Sequence, residues 1–219
     1  MMLLALDTST RTIGIAIHDG SQVLAESVWI SAGHHTIELA PEVALMMRKV
    51  GGTFAGLKGL GVALGPGSYT GLRIGMALAK GLALTQSLPM VGIPTLDIIA
   101  RCQPGRSEPM FAMVQSGRNR IAGLWYKWGR KGWQTREEAE SMTYEELLER
   151  LSEKTYVCGE INAEGREILS GKINVELAPP AQCVRRPSVL AELAWKELRK
   201  GRHSNPAKLA LIYLRPRSE

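Results

Sequence analysis

Between Leu72 and Leu84 the chain reads LRIGMALAKGLAL, and only Arg73 and Lys80 in that run carry charge. Thirteen residues make more than three helical turns. A helix that is apolar almost all round has no face to give to water and must be covered on both sides. Arg73 and Lys80, seven apart, occupy one narrow line of it. Gly71 and Gly75, four apart, line up on another, where the missing side chains let a second backbone come close. One side of this helix can lie on a sheet of its own domain. The other needs either the helix read below at 35–49 or a second protein, so this region points to an association surface.

The segments around it set the fold class. Residues 3–6 form a short apolar run suited to a buried strand, ending at Asp7-Thr8-Ser9-Thr10. Residues 12–18 alternate Ile13, Ile15 and Ile17 against Gly14, Ala16 and His18, and lead into Asp19-Gly20, a strong hairpin turn signal. Further strand-like runs at 23–24 and 28–30 complete a meander. A helix is predicted over 35–49, with Pro41 in its first turns or at a kink. A strand at 59–64, a helix at 72–87, a strand at 90–93 and a helix at 95–101 follow. The stretch QPGRSEP at 103–109 reads as a linker. Beyond it come strands at 110–115, 121–128 and 133–134, then a helix opened by a Thr143/Glu146 capping box. A last helix is predicted with Ser188 as its cap and Gly201 at its end. These elements predict two α/β domains, 1–102 and 103–219, each closer to an RNase H-like lobe than to an all-parallel Rossmann sheet.

Composition narrows the function classes. With 45% hydrophobic and 22% charged residues the chain has an ordinary globular balance. No apolar stretch is long enough for a membrane span, and Met1 to Asp7 carries no basic leader, so a cytoplasmic location is expected. Cys102, Cys158 and Cys183 show no CxxC spacing and read as free thiols. The net charge of +6 comes mostly from residues 105–219, which hold 20 Lys/Arg against 15 Asp/Glu. Arg118, Arg120, Lys127, Arg130, Lys131, Arg185, Arg186 and the run from Lys196 to Arg202 are in that half. Such an excess either helps hold RNA phosphates or is a solvated mixed-charge surface.

Catalytic patterns are scarce. The glycine loop GPGSYTG at 65–71 follows a strand and opens a helix, but Leu72-Arg73 stands where a P-loop needs Lys-Ser/Thr. Three residues, not two, separate Gly67 from Gly71, and no Asp or Glu lies between Glu42 and Asp97, so the dinucleotide fingerprint fails as well. His34 and His35 are adjacent and point about 100° apart on a helix, which rules out a shared metal. No HExxH, CxxC or GxSxG occurs. No catalytic residue and no metal ligand is therefore assigned, and a peptidase built on His35 has no local support. Asp7-Thr8-Ser9-Thr10 reads equally as an Asx/ST turn or as a phosphate-contacting loop.

Three segments together resemble the TsaB (YeaZ) family: LLALDTST at 3–10, His35-Thr36 with Leu39 and Pro41, and GPGSYTGLRIG at 65–75. The terminal ALIYLR at 210–215 is similar to that family's closing Tyr-Leu-Arg. The similarity is strong over 1–101 and thin beyond, where the family's usual Asp-Ala-Arg is Ser116-Gly117-Arg118 and 160–187 has no match. The resemblance implies two lobes of the actin/Hsp70 (ASKHA) superfamily. It implies a non-catalytic subunit of the machinery forming threonylcarbamoyladenosine at tRNA adenosine 37, dimerising with a TsaD-like catalytic paralogue and joined by a TsaE-like ATPase. It further implies a homodimer when alone, tRNA contacts that are indirect or weak, and no cofactor required by this chain, with ATP or ADP entering at the interface with the partner. On that reading His35, Leu39, Leu72, Gly75, Met76 and Ala79 form the partner interface, and Asp7, Thr8 and Ser9 are the residues that would meet a nucleotide. The alternatives are a stand-alone ATPase using Asp7 to Thr10 and a glycoprotease-like peptidase.

Overall fold

The computed structural model describes residues 2–117 and 119–214. Arg118 and Arg215, both named above, lie outside the described residues. Strands β1 (Met2–Asp7), β2 (Thr12–His18) and β3 (Val23–Ile30) form the antiparallel meander, with Leu4 opposite Ile17 and Ile13 opposite Trp29. Helix α1 (His35–Lys49) follows, then β4 (Leu57–Ala63), parallel to β1 with Ala5 beside Gly61. Helix α2 (Tyr69–Gln86) leads to β5 (Met90–Ile93), parallel to β4. The sheet order is β3-β2-β1-β4-β5.

Period-two alternation decides what each face meets. Leu4, Leu6, Ile13, Ile15, Ile17, Leu60 and Val62 share one core with Leu39, Val43, Met46 and Met47 of α1 and Met76, Ala79 and Ala83 of α2. The other face carries small residues and admits a second layer, α6 (Pro187–Arg199). A Cβ on Gly14 would stand 3.2 Å from the Pro187 ring, one on Gly61 2.8 Å from Ala194 Cβ, and one on Gly59 2.7 Å from a Leu198 methyl. The last helix therefore belongs to the first sheet. The chain divides into Met1–Thr95 with Arg186–Ile212, and Leu96–Arg185 with the residues from Tyr213 on. This corrects the single boundary expected at 102/103. A sheet covered on one face by α1 and α2 still needs cover on the other, and the chain returns from the second unit to supply it.

The start of α6 also differs from expectation. Arg186 is the N-cap and makes no side-chain cap bond, and Pro187 opens the helix. Ser188 lies inside the first turn, where its backbone N–H and its hydroxyl donate to Glu26 Oε1 of β3 at 3.0 and 2.6 Å. A carboxylate from a distant strand thus satisfies an orphan donor and meets the positive end of the helix dipole. Burial pushes the Glu26 carboxyl up, but the hydrogen bonds from Arg186 and Ser188 outweigh it and hold it below its ordinary value.

The second unit takes α3 (Thr95–Arg101) as its entry. It contains β6 (Met110–Gln115), β7 (Ile121–Gly129), β8 (Gly132–Gln134), β9 (Glu140–Met142), α4 (Tyr144–Arg150), β10 (Thr155–Gly159), α5 (Ala163–Leu169) and β11 (Val175–Leu177). Its sheet runs β11-β10-β6-β7-β8, with β9 on β7, which repeats the strand succession of the first sheet. The capping box of α4 is present, Thr143 and Glu146 each bonding the other's backbone N–H. Both units have the strand succession of an RNase H-like lobe, as the strand pattern predicted. The sequence reading did not place β10, α5 and β11. Buried on both faces, β10 shows no alternation, and it has only five residues.

Candidate functional site

The Asp7-Thr10 loop is held from three directions within the first unit. Asp7 Oδ1 accepts from the Ser9 backbone N–H at 2.9 Å and from the Ser9 hydroxyl at 2.5 Å, which closes an Asx turn. Thr8 Oγ1 donates to the Gly71 carbonyl at 2.7 Å, and the Ser68 N–H donates to the Ser9 carbonyl at 2.6 Å. His35 Nε2, at the start of α1, donates to the Thr10 carbonyl at 2.8 Å. All four loop residues are buried.

The glycines of the 65–75 segment make this closure possible. A Cβ on Gly67 would stand 2.0 Å from the Ser9 carbonyl oxygen, one on Gly71 2.3 Å from that of Thr8, and one on Gly75 2.2 Å from Thr8 Oγ1. These are separations that real Cβ atoms do not show. The close backbone approach expected here occurs at Gly71, while Gly75 admits the Thr8 side chain, and in both cases the neighbour is the chain's own β1 loop rather than another protein. Asp7, Thr8 and Ser9 spend bonds on one another and on residues 68–71. His35 is likewise a tie holding the loop, with no nucleophile bonded to its Nε2. Among the described residues no group of three or more His, Cys, Asp or Glu side chains could hold a metal ion.

The residues expected at a partner interface lie beneath the outer surface of α1 and α2. His35, Leu39, Leu72, Gly75, Met76 and Ala79 are all buried, and most of them are core. The helices carrying them nevertheless keep an apolar outer face. Ile37 on α1 is 69% exposed and Leu84 on α2 is 73% exposed. Ala77 and Gly81 are exposed between Arg73 and Leu84, and Ile74, Leu78 and Leu82 are half-buried beside them. Arg73 stacks its guanidinium 3.7 Å from the centre of the Tyr69 ring at the start of the stripe.

Two grooves flank this face. One, of about 550 Å³, lies between β3 and α1 and is lined by Trp29, Ile37, Pro41 and Leu45. At its edge the Trp29 indole N–H donates to Glu38 at 2.8 Å, which holds that carboxyl below its ordinary value. The other, of about 620 Å³, lies at the end of α2 and includes Leu84, Leu88 and His203. The outward stripe was within reach of the sequence. Arg73 and Lys80 mark the solvent side of α2, and counting four from Arg73 leads to Ala77, Gly81 and the neighbourhood of Leu84.

Comparison with known proteins places this geometry. The family model described as TsaD: tRNA N6-adenosine threonylcarbamoyltransferase matches residues 26–154, more than half of the chain. The chain is 37% identical over 114 residues to the tRNA threonylcarbamoyladenosine biosynthesis protein TsaB of Bacillus subtilis, covering 51% of this chain and 50% of that protein. It is 36% identical over 101 residues to the TsaB protein of Escherichia coli, covering 46% and 43%. The chain thus spans about half the length of the curated relatives it matches. A crystal structure from Pseudomonas aeruginosa, described as an uncharacterized protein with similarity to peptidase YEAZ, shares the fold with a TM-score of 0.79. That match is 19% identical and covers 98% of this chain and 99% of the other. No helix among the described residues is long and apolar enough to cross a membrane. With the family model matched from within β3 through α4, the chain belongs to the family described as TsaD: tRNA N6-adenosine threonylcarbamoyltransferase.

Proposed function

We propose that this chain is a cytoplasmic, non-catalytic partner subunit in threonylcarbamoyladenosine formation on tRNA, and that it docks a TsaD-like catalytic paralogue through the outer face of α1 and α2. The observation that carries the reading is that stripe. Two helices that belong to one core still present Ile37, Ala77, Gly81 and Leu84 to water, with Leu78 half-covered between them. Exposed apolar side chains aligned along a helix pair and bordered by grooves fit a helical partner of similar character. Gly81 adds to the fit, because nothing lies within 4 Å of where its Cβ would be and a partner backbone can approach it closely. In the absence of that partner the same face serves a homodimer, and a TsaE-like ATPase joins the pair.

The loop geometry supports a supporting role over a catalytic one. Asp7, Thr8, Ser9 and His35 are used to lock β1 against the starts of α1 and α2, which fixes how the two helices are presented. ATP or ADP then belongs at the interface with the partner rather than to this chain's own turnover.

The test is co-purification with the catalytic paralogue and the mass of the complex, comparing the native chain with an Ala77→Arg/Leu84→Arg variant. Both positions face water, so the variant is expected to fold and to lose the heterodimer and the homodimer. A complex of unchanged mass would refute the reading. ATP turnover by the isolated chain, abolished by Asp7→Ala, would favour an ATPase instead.

A further inference from the structure

A cavity of about 670 Å³ opens in the second unit along the outer half of β7, and nothing in the partner-helix reading uses it. Its walls combine three kinds of chemistry. The first is aromatic. Trp125 is half-buried and leans on Phe111 with ring centroids 5.0 Å apart, and Trp128 is 50% exposed and braced edge-on by Trp133 at 5.3 Å. The second is cationic. Lys127 and Arg136 are exposed, and neither enters an ion pair among the described residues. Arg150 is different, because it is paired with Glu140 at 2.9 Å. The third is acidic, Glu137 and Glu153.

A ligand matching all three needs a flat ring, a negative group, and amino or hydroxyl donors. We propose that this cavity takes a nucleotide of single-stranded RNA. The base stacks on Trp125, the phosphates meet Arg136 and Lys127, which shares the Trp125 face of β7, and Glu137 and Glu153 accept from exocyclic amino groups or ribose hydroxyls. The volume suits one nucleotide. An acidic peptide would satisfy the cations but would leave the Trp125 indole without a ring to stack on. The inference rests on the preceding reading for the presence of RNA, and on the second unit alone for the site.

The experiment uses the full chain and a fluorescein-labelled single-stranded oligoadenylate RNA of about 12 nucleotides, titrated by anisotropy at several salt concentrations. Lys127→Glu/Arg136→Glu is expected to weaken binding by about tenfold or more and to flatten the log K against log salt slope by about 1.4, two single-strand phosphate contacts. The charge-matched control Lys49→Glu/Arg199→Glu in the first unit is expected to bind as the native chain does. Quenching of tryptophan emission by unlabelled RNA is expected to fall in Trp125→Leu. Should that variant fold poorly, the two exposed charge positions still decide the matter. The proposal is overturned if Lys127→Glu/Arg136→Glu binds within about twofold of the native chain, if the control loses as much, or if a polyglutamate peptide competes as well as unlabelled RNA. The two readings fail separately. Lys127→Glu/Arg136→Glu should still form the complex with the catalytic paralogue, and Ala77→Arg/Leu84→Arg should still bind the RNA.

Discussion

Gly75→Ala and Gly81→Ala place the same methyl group on the same helix six residues apart, and the structure gives them opposite signs. At Gly75 the new Cβ would stand 2.2 Å from Thr8 Oγ1, an atom already committed to the Gly71 carbonyl at 2.7 Å. Thr8 is β-branched and buried, so its oxygen cannot swing away without a rotamer change or a shift of the β1 loop. Overpacking of this kind costs about 1–3 kcal/mol, and disturbing the buried hydrogen bond adds about 1 kcal/mol. Replacing glycine within a helix returns about 1 kcal/mol. The net is a loss of about 2 kcal/mol, or roughly 4–8 °C in Tm for a chain of this size. At Gly81 nothing lies within 4 Å of the added carbon. Only the propensity gain remains, about 1 kcal/mol and roughly 2–4 °C upward.

Scanning calorimetry with urea midpoints as a second measure reads both shifts. Thr8→Ala in the Gly75→Ala background removes the colliding oxygen. The double variant should then be more stable than the sum of the singles by about 1 kcal/mol. Shifts of the same sign for the two glycine variants, or strict additivity in the cycle, would refute the claim that Gly75 exists to admit Thr8.

Two further outcomes follow from the electrostatics. Glu26 has a folded pKa below its ordinary 4.5, so its stabilisation is present above about pH 4.5 and is lost as pH falls through the folded value. Glu26→Gln should cost about 1–2 kcal/mol at pH 7, and that gap should narrow in thermal melts as pH falls below the ordinary carboxylate range; a gap that does not change with pH would count against the capping of α6 by β3. Burial, with smaller contributions from Cys183 and Cys102, pushes the Cys158 thiol up, so Cys158 should resist iodoacetamide at pH 8 until urea unfolds the chain. Labelling of native Cys158 at the unfolded rate, read by peptide mass, would contradict its placement in the core.

Much of this molecule could be read along the chain, because its elements have local causes. Ile13, Ile15 and Ile17 alternate into a strand, and Asp19-Gly20 turns it. Thr143 and Glu146 cap a helix across three residues, which is a bond that sequence spacing alone can specify. The excess of apolar residues from Leu72 to Leu84 announced a helix covered on more than one side, and α1 and the sheet do cover it.

What sequence could not decide was which distant segment meets which face. Gly71 and Gly75 were legible as a notch, but that Thr8 fills it depends on β1 lying parallel to β4. Ser188 looked like a cap because it precedes an apolar run, yet the carboxylate serving that helix comes from Glu26, 162 positions away. The last helix was read with the second domain for the same reason, and it packs on the small-residue face of the first sheet. Periodicity and capping act through neighbours within a turn or a strand, so one chain segment carries them whole. Pairing between remote segments is chosen by which surfaces exclude the most water together, and that comparison exists only once the tertiary structure has formed.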